Sequence, residues 1–442
     1  MASPKSVALY TLGCKLNFSE SSSIGRSFVK AGYSLSPFED GADIFVINTC
    51  SVTDFADRKC RKIIRKAKRL NPDSIVVVTG CYAQLKPEEI AGFDGVDMVL
   101  GAAEKFRIVD HVNALDLGGH AVVKAGNIQQ FLPFESSWSH GDRTRTFLKV
   151  QDGCDYKCSF CTIPLARGKS RSDSIDNIVE KARKIGSNGT REIVLTGVNI
   201  GDFQSADGSG GFLELIKGLD KVNTINRFRI SSIEPNLCSD EIIEFVAASN
   251  RFMPHFHMPL QSGNNKQLKL MRRRYKRELY QDRVEKIKKL MPHACIGVDV
   301  IVGFPGETEA DFEETYVFIN ELDVSYLHVF TYSERPNTPA NEMLDQVDMN
   351  IRRQRNERLR MLSMKKKNFF YNQFSGSYRK VLFENSPLNG YITGFTDNYI
   401  KVLCPDRDIE VNTLKDVELL NVEADFCEAK LPTKKSVSTV IL

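Results

Sequence analysis

Short apolar runs rich in β-branched residues alternate with helical patterns in the first third of the chain. Such alternation is typical of parallel strands joined by crossover helices. We therefore predict an open, doubly wound α/β domain over residues 1–130, followed by a linker at 131–145 that is marked by Pro, Ser, Gly and His. The predicted strands are 7–12, 43–48, 74–79 and 97–100, and the predicted helices are 18–31, 53–70 and one that begins at Ala103.

The middle of the chain repeats the strand–helix unit about six times. Six parallel units predict a partial, TIM-like (β/α)6 barrel over residues 146–370, whose active site would lie at the C-terminal ends of the strands. The predicted strands are 146–150, 192–196, 227–232, 255–260, 296–302 and 326–331. The main helical patterns are 174–185, 240–248, 266–289, 309–322 and a charged helix at about 341–374.

The last part of the chain, residues 371–442, changes to short strands separated by turn residues. This pattern predicts a small antiparallel β-barrel. The predicted strands are 378–383, 388–393, 399–403, 409–412 and 418–422.

The composition is that of an ordinary globular protein, with 42% apolar and 26% charged residues. The apolar runs are too short to span a bilayer, and the N-terminus lacks the apolar stretch of a secretory signal. A cytoplasmic protein without membrane contact is therefore expected. Eleven cysteines, an odd number, favour thiolate ligands or buried thiols over a disulfide framework.

Three cysteines, Cys154, Cys158 and Cys161, lie within eight residues after the first predicted barrel strand. Such a loop can ligate three irons of a [4Fe-4S] cluster and leave the fourth iron open. S-adenosylmethionine (SAM) can chelate an open iron and be cleaved to a radical on reduction. The alternatives are a chance spacing or a zinc site, for which His140 is the one nearby fourth ligand.

A second set of cysteines, Cys14, Cys50 and Cys81, is spread along the sequence, but each member follows a predicted parallel strand. The carboxyl ends of parallel strands line one crevice, so the three thiols are expected to converge and could hold a second cluster. The alternative is three buried cysteines at strand ends. The remaining cysteines are assigned no role: Cys60, Cys238, Cys295, Cys404 and Cys427.

Polar and glycine residues fall at the C-terminal ends of several predicted barrel strands, where they could contact a small molecule. Glu234 could bind a ribose hydroxyl or an amino group, and Gly303 would let the backbone approach an adenine. Turn caps and loop glycines are the alternative interpretation. The candidate SAM contacts are Thr196, Gly197, Ser232, Glu234, Gln261, Val302 and Gly303.

Residues 58–69 contain eight basic side chains and no acid, within a net charge of +4 for the whole chain. Ile63, Ile64 and Ala67 would form the buried stripe of this helix and leave a positive outer face. Such a face could contact RNA phosphates, although a solvated face is the usual alternative. The candidate RNA contacts are Arg58, Arg61, Lys62, Arg65, Arg69 and, from a second patch, Arg273.

Taken in order, these motifs resemble the radical-SAM methylthiotransferases over essentially the whole chain. The segments 11–17, 48–53, 151–154 and 166–172 are most similar to the branch that methylthiolates N6-threonylcarbamoyladenosine beside the anticodon of tRNA. Leu165 and Asn337 depart from the family pattern, where an aromatic residue and Gly are frequent.

The resemblance implies two [4Fe-4S] clusters and SAM as cofactors. Cys154, Cys158 and Cys161 would hold the SAM-cleaving cluster, and Cys14, Cys50 and Cys81 an auxiliary cluster that carries sulfur. It also implies a C-terminal RNA-binding barrel called TRAM, the tRNA anticodon stem-loop as substrate, and an electron donor such as flavodoxin or ferredoxin. One rival hypothesis is the same chemistry on another substrate, either isopentenyladenosine in tRNA or a ribosomal protein. The other is that the chain is a non-catalytic iron–sulfur RNA-binding sensor.

Overall fold

A computed structural model describes residues 5–50, 54–116, 120–128, 133–139, 141, 143–385, 390–405, 409–423 and 425–432, without the side chains of 54–57. It contains three folded parts that follow one another along the chain: an open parallel sheet, an incomplete α/β barrel and a closed small β-barrel. Four of the five buried apolar clusters belong wholly to the sheet or the α/β barrel. The fifth fills the small β-barrel together with Cys295 and the end of a long helix. None of the helices in the described part combines the length and the apolar character that crossing a bilayer requires.

The N-terminal part is a six-stranded, all-parallel sheet, which confirms the predicted open α/β architecture. Its strands are β1 (Ser6–Thr11), β2 (Ser34–Leu35), β3 (Ile44–Thr49), β4 (Ile75–Gly80), β5 (Met98–Leu100) and β6 (Val122–Lys124). Its helices are α1 (Lys15–Lys30), α2 (Asp54–Leu70), α3 (Cys81–Leu85), α4 (Pro87–Ala91) and α5 (Ile108–Asn113). The strand order β2-β1-β3-β4-β5-β6 reverses between β1 and β3. Ligands of open α/β sheets bind at such a reversal, outside the carboxyl ends of the strands.

Six parallel strands form the middle part, as predicted, in two three-stranded sheets. The strands of this part are β7 (Thr146–Lys149), β8 (Gln151–Asp152), β9 (Arg171–Ser172), β10 (Glu192–Thr196), β11 (Arg227–Ile230), β12 (His255–Gln261), β13 (Cys295–Val302) and β14 (Tyr326–Thr331). The short β8 and β9 pair only with each other. A parallel bridge between Phe228 and Phe252 connects the two sheets at β11 and β12.

Eight helices accompany these strands and cover the apolar outer face of the barrel. They are α6 (Ile163–Arg167), α7 (Ile175–Ser187), α8 (Phe212–Asp220), α9 (Asp240–Ala248), α10 (Asn265–Leu270), α11 (Arg277–Leu290), α12 (Glu309–Glu321) and α13 (Met349–Asn372). The inner face of the strands is polar, with Glu192, Arg229, His257 and Asp299 pointing into a common lumen. Parallel strands usually carry apolar residues on both faces, so this lumen is the unusual feature of the barrel.

Four predicted helices differ from the structure. The helix predicted at 18–31 begins at Lys15, and the one predicted from Ala103 begins at Ile108, after a short 3-10 turn. The pattern at 266–289 is two helices, α10 and α11, because Arg272 adopts a left-handed backbone (φ 56°) that ends the first helix. The charged helix begins at Met349, not near 341, where the Asp348 carboxylate caps the amide of Asn350.

The C-terminal part is a closed five-stranded barrel, as predicted, although its strand β17 runs parallel to β19. The strands are β15 (Tyr378–Glu384), β16 (Tyr391–Thr396), β17 (Lys401–Pro405), β18 (Leu414–Glu423) and β19 (Phe426–Lys430). The strand predicted at 409–412 is wrong, since this segment ends in a turn with Asn412 at φ 64°. Residues 388 and 389 of another predicted strand lie outside the described residues.

The three parts dock around the lumen of the α/β barrel. Helix α1 packs against β7 at the open side of the barrel, where Ser19 and Ser137 share a hydrogen bond of 2.9 Å. At the N-terminal ends of the strands, Arg227 and Arg229 donate to main-chain carbonyls of β15, β16 and the turn after β16. The domain boundaries themselves stay predictions.

Candidate active site

Cys14, Cys50 and Cys81 each lie directly beyond the carboxyl end of a neighbouring parallel strand. Cys14 caps the start of α1, Cys50 follows β3, and Cys81 begins α3. Two glycines let these strand ends approach closely. A Cβ at Gly13 would lie 2.7 Å from the Cys50 Cβ, and one at Gly80 would lie 2.4 Å from the Thr49 carbonyl oxygen.

The structure brings these three thiols to the crevice that strand-end reasoning predicts. Burial raises the pKa of Cys81, and the nearby Arg167 opposes this increase, while the charge of Cys14 adds to it. A metal that binds here must therefore displace a proton from a buried thiol. The ligand role of the trio stays a prediction.

Cys154, Cys158 and Cys161 lie in the loop between β8 and α6. Burial raises the pKa of Cys154 to about 11 and that of Cys161 to about 12, and the charges of the three cysteines act on one another. Gly153 (φ 70°) has no room for a side chain, because a Cβ there would lie 2.0 Å from the Lys169 carbonyl oxygen. This contact fixes the loop against β9.

A buried ionic network joins the two cysteine trios. Arg167, six residues beyond Cys161, donates to Glu20 Oε1 at 3.0 Å, Asp152 Oδ1 at 2.9 Å and Asn17 Oδ1 at 2.7 Å. Asp152 precedes the Cys154 loop, and Asn17 follows Cys14 by three residues. The Arg167 charge also acts on both Cys14 and Cys81. One guanidinium therefore connects the two sites.

This network carries more positive than negative charge. Glu20 and Asp152 are surrounded by four cations: Lys105, Lys149, Arg167 and Arg171. Although burial opposes it, the cations, Arg167 first, lower the pKa of Glu20 to about 2. The excess of two positive charges fits an anionic group bound by the adjacent thiols, as expected for a [4Fe-4S] core with three thiolates.

The lumen next to these sites contains several paired charges. Asp299 Oδ1 lies 2.9 Å from His257 Nε2 and 3.2 Å from His328 Nδ1, and Arg229 binds Glu192. Lys15 extends toward this region: burial lowers its pKa, Arg145 and Arg229 lower it further, and Tyr399 and Asp299 oppose them.

A cavity of about 250 Å³ opens at the C-terminal ends of the barrel strands beside the Cys154 loop. It is lined by Cys161, Gln261, Asp299, Phe330, Tyr332, Arg335 and their neighbours. Among the predicted SAM contacts, Gln261 lies on this cavity with a left-handed backbone (φ 66°).

The other predicted SAM contacts have different surroundings. Glu234 is bound by Arg273. Gly197 packs on Gln151, next to the buried Thr196, and Ser232 is half-buried. Val302 is buried, and a Cβ at Gly303 would lie 2.2 Å from Arg352 Cγ. The glycine thus makes room for Arg352, and the contact of Gly303 with an adenine stays a prediction.

Some basic side chains of α2 form ion pairs and others do not. Ile63, Ile64 and Ala67 are buried, as predicted. Arg61 pairs with Glu89, Lys66 with Glu39 and Lys68 with Asp97. A helical stripe of four exposed cations makes no ion pair within the described ranges: Arg58, Lys62, Arg65 and Arg69.

Arg273 is a correction. Its side chain is only 3% exposed, binds Glu234 and donates to Cys158 Sγ at 3.1 Å. It therefore belongs to the cysteine loop and not to an RNA-binding surface.

Sequence reasoning assigned no role to Arg167, Asp152, Glu20 or Lys15, although three of them lie in the segments 11–17, 151–154 and 166–172 that carry the resemblance. Glu20 had a signal of its own, because it interrupts the apolar stripe of Leu16, Ile24 and Phe28 at helical spacing. The contacts of Arg167 with Asn17 and Glu20 could not be predicted, since these partners come from a distant segment of the chain.

Comparisons with known proteins agree with this arrangement. Residues 148–319 match the Radical SAM superfamily, and residues 6–101 match Uncharacterized protein family UPF0004. The chain is 39% identical to the threonylcarbamoyladenosine tRNA methylthiotransferase MtaB of Bacillus subtilis, over 96% of each chain. It is 35% identical to the protein of the same name from Thermotoga maritima, over 97% of this chain and 100% of that one.

More distant matches include a tRNA-2-methylthio-N(6)-dimethylallyladenosine synthase of Clostridium botulinum, 32% identical over 86% of each chain. Among solved structures, the radical S-adenosylmethionine methyltransferase TsrM of Kitasatospora setae shares the fold. Its TM-score is 0.58 at 14% identity, over 76% of this chain and 75% of that one.

Proposed function

Because this chain belongs to the MtaB family of threonylcarbamoyladenosine tRNA methylthiotransferases, we propose that it inserts a methylthio group at C2 of N6-threonylcarbamoyladenosine beside the anticodon. The match to the Radical SAM superfamily implies SAM and a [4Fe-4S] cluster. When bound, this pair supplies a carbon-centred radical on one-electron reduction. The second cluster is part of our proposal.

The observation that carries the proposal is the buried connection between two thiol trios. Cys154, Cys158 and Cys161 would hold the SAM-binding cluster, and Cys14, Cys50 and Cys81 the auxiliary one. Arg167 donates hydrogen bonds to Asp152, next to the Cys154 loop, and to Asn17, next to Cys14. These bonds hold the two cysteine sites at a fixed distance from each other. Fixed placement of two reacting groups is the main contribution that a protein makes to chemistry carried by cofactors.

The surrounding residues have separate tasks. Arg273 holds Glu234 and Cys158 together at one edge of the Cys154 loop. Glu20 and Asp152 keep Arg167 and the neighbouring lysines in place without exposing them to water. The cationic excess that remains would stabilise thiolates over thiols at both sites.

Contact with tRNA is proposed for the exposed stripe of α2. Each phosphate that a basic side chain neutralises adds to the salt dependence of binding, so replacing Arg58, Lys62, Arg65 and Arg69 by Ser should flatten the plot of log affinity against log salt. The expected change in slope is roughly 0.7–0.9 for each phosphate that these side chains neutralise in the wild type. The control replaces Lys66 and Lys68, which are already paired with acids. If replacing these four side chains leaves the slope unchanged, tRNA does not bind to this face of α2.

The test of the proposed function uses anaerobically purified protein. We expect about eight irons per chain, release of 5′-deoxyadenosine on reduction with SAM, and 2-methylthio-N6-threonylcarbamoyladenosine in tRNA by mass spectrometry. Cys50→Ala and Cys158→Ala should each lose about four irons and the product. Cys404→Ala, in the small β-barrel, is the control.

Three results would contradict the proposal in different ways. If the Cys50→Ala protein keeps all its iron, the claim of an auxiliary cluster at Cys14, Cys50 and Cys81 is wrong. Methylthiolation of a dimethylallyladenosine stem-loop in preference to a threonylcarbamoyladenosine one identifies the other tRNA substrate. A protein that binds tRNA but releases no 5′-deoxyadenosine is a sensor. We also propose that the electron donor is a flavodoxin or ferredoxin. The proposed location is the cytoplasm, where tRNA is modified.

A further inference from the structure

Lys15 lies where α1 enters the open side of the α/β barrel. It directly follows Cys14 and begins the helix. Residues at helical spacing from it contact the segment before β7 and β7 itself: Phe18 stacks under Arg143, Ser19 bonds Ser137, and Arg26 donates to the Trp138 carbonyl. Side chains three, four and eleven residues apart share one face of a helix. Lys15 is therefore on the face that docks on the barrel.

The charges that act on Lys15 belong to the lumen. They come from Tyr399, Arg145, Arg229 and Asp299, and Lys15 acts in turn on the buried His255. These residues lie on different parts of the chain, namely β11, β12, β13, the segment before β7, and the turn between β16 and β17. Arg145 follows Arg143, which covers Phe18, by two residues, and Arg145, Arg229 and His255 all contact the ring of Tyr399. The docking face of α1 therefore adjoins this group of lumen residues.

The carboxylates near this region already hold other cations. Asp299, the carboxylate with the largest effect on Lys15, contacts His257 and His328. Glu192 binds Arg227 and Arg229, and Glu384 binds Arg145. Across the described ranges, Lys15 makes no hydrogen bond and no ion pair of its own.

One atom of a second group in the lumen, His255, also lacks a partner, although the other ring nitrogen of this histidine lies 3.2 Å from the Tyr326 hydroxyl. His255 is 3% exposed, and its Nδ1 atom is buried without a hydrogen-bond partner in the described part of the chain. A buried polar atom without a partner carries a desolvation penalty, and so does a cation without a partner that is partly withdrawn from water, as the half-buried Lys15 is. Both desolvation penalties are reduced if a polar, negatively charged group enters the lumen.

We propose that Lys15 is a specificity-determining residue and that its ammonium group binds the threonyl carboxylate of the modified base. This inference rests on the proposed function. The threonylcarbamoyl group carries a carboxylate and a hydroxyl, whereas a dimethylallyl group carries no charge and no hydrogen-bonding atom. Because Lys15 adjoins Cys14 in the chain, binding the carboxylate here brings the base next to the Cys14, Cys50 and Cys81 trio.

The experiment compares anticodon stem-loop RNAs that differ only in the modified base. One carries threonylcarbamoyladenosine, the second carries its methyl ester, and the third carries dimethylallyladenosine. The iron-loaded wild-type enzyme should prefer the acid to the ester by roughly 10- to 100-fold in kcat/KM, the range for a hydrogen bond to a charged group. The ester retains the hydroxyl and carbamoyl groups, and it replaces the charged carboxylate by a neutral group that is larger by one methyl.

Variants of Lys15 assign the preference to this side chain. Lys15→Met should lose the distinction between acid and ester, mainly through a higher KM for the acid, and Lys15→Arg should restore part of it. Lys30→Met, in the exposed last turn of the same helix, is the matched control and should keep the wild-type preference. Iron content and SAM cleavage without RNA show that each variant is assembled.

The outcomes separate the two claims. If the wild-type enzyme does not convert the threonylcarbamoyladenosine stem-loop, the proposed function fails. If it converts the acid and the ester equally well, or if Lys15→Met keeps the full preference for the acid, the proposed function stands and the role of Lys15 is overturned.

Discussion

Glu20 occupies a position on α1 where helical spacing requires an apolar side chain, and the cations around it explain why a carboxylate is tolerated. Lys105 lies 2.6 Å from it and Arg167 3.0 Å. Glu20→Gln keeps the shape but removes the charge, which leaves three buried cations with Asp152 alone. We expect a loss of about 3–5 kcal/mol in the free energy of unfolding, measured by urea denaturation of the metal-free protein.

The control for this measurement is Glu180→Gln. Glu180 pairs with Arg183 at 3.4 Å, but both side chains are more than half exposed, so the loss should stay below about 1 kcal/mol. Equal effects of the two substitutions would show that the buried network does not stabilise the fold.

His255 gives the protein a pH dependence of known sign. Burial holds its pKa well below the ordinary value, and Arg229 lowers it further. Below about pH 6.5 the unfolded chain therefore binds a proton that the folded chain does not, and stability is lost as the pH falls. Between about pH 7 and 5.5 the expected contribution is about 1.3 kcal/mol.

The measurement compares urea denaturation of the wild type and His255→Gln at both pH values. The variant should show a smaller decrease in stability by that amount, whatever its stability at neutral pH. His120→Gln, at an exposed position, should leave the pH dependence of the wild type in place. Parallel curves for the wild type and His255→Gln would mean that His255 is protonated in the folded protein.

Individual residues were predictable where their position on an element determined their surroundings. The carboxyl ends of parallel strands were enough to bring Cys14, Cys50 and Cys81 together. Arg273 was misplaced because a basic run in sequence does not show which member turns inward. Arg167 binds Glu20, which precedes it by 147 residues, a relation that exists only after the sheet and barrel have docked.

Glycines at the ends of strands determine how closely the elements of the candidate site approach. Gly80 has a left-handed backbone (φ 98°), and a Cβ there would lie 2.4 Å from the Thr49 oxygen and 2.6 Å from its nitrogen. Gly80→Ala must therefore separate the ends of β3 and β4, which moves Cys81 away from Cys50. We expect the iron content to fall by roughly half.

Gly189→Ala is the matched control, since Gly189 has a similar backbone (φ 89°) and nothing within 4 Å of an added Cβ. Both variants place an alanine at a positive φ that L-residues rarely adopt, and only Gly80→Ala adds the clash. Iron analysis and urea denaturation of both proteins give the comparison. An equal iron content would show that the spacing of these strand ends is not critical.

The elements that the sequence failed to predict are those with the weakest local signals. Strand β2 has two residues and β6 has three, too few for a periodic pattern. The division between α10 and α11 depends on the left-handed backbone of Arg272, which basic residues adopt rarely. The long strands with continuous buried runs, such as β3 and β13, were predicted to within a residue or two.

Two arginines of β11 add hydrogen bonds to the interface between the small β-barrel and the α/β barrel, beside the apolar contacts of Cys295 and the end of α13. Arg227 donates to the carbonyl oxygens of Lys380 at 2.6 Å and Phe395 at 3.2 Å, and its side chain is 4% exposed. The sequence could not predict this interface, because the acceptors are main-chain carbonyl oxygens. Every residue has one, so the acceptors leave no pattern of residue types in the sequence. The interface brings Tyr399 against His255, with ring centroids 4.3 Å apart, and so forms one end of the lumen.

Arg227→Met should loosen this interface without unfolding either barrel, because the apolar stem of the side chain is kept while two hydrogen bonds are removed. Two such bonds from a charged donor correspond to an increase in local opening of at least about tenfold. Hydrogen exchange followed by mass spectrometry should show faster exchange in β15 and β16. Arg251→Met is the control, since Arg251 donates to Asp220 and Asn223 within the α/β barrel. If both variants exchange alike in β15 and β16, the Arg227 contacts do not hold the small barrel, and its docking depends on the remaining contacts, such as the Arg145–Glu384 ion pair and the apolar contacts of Cys295.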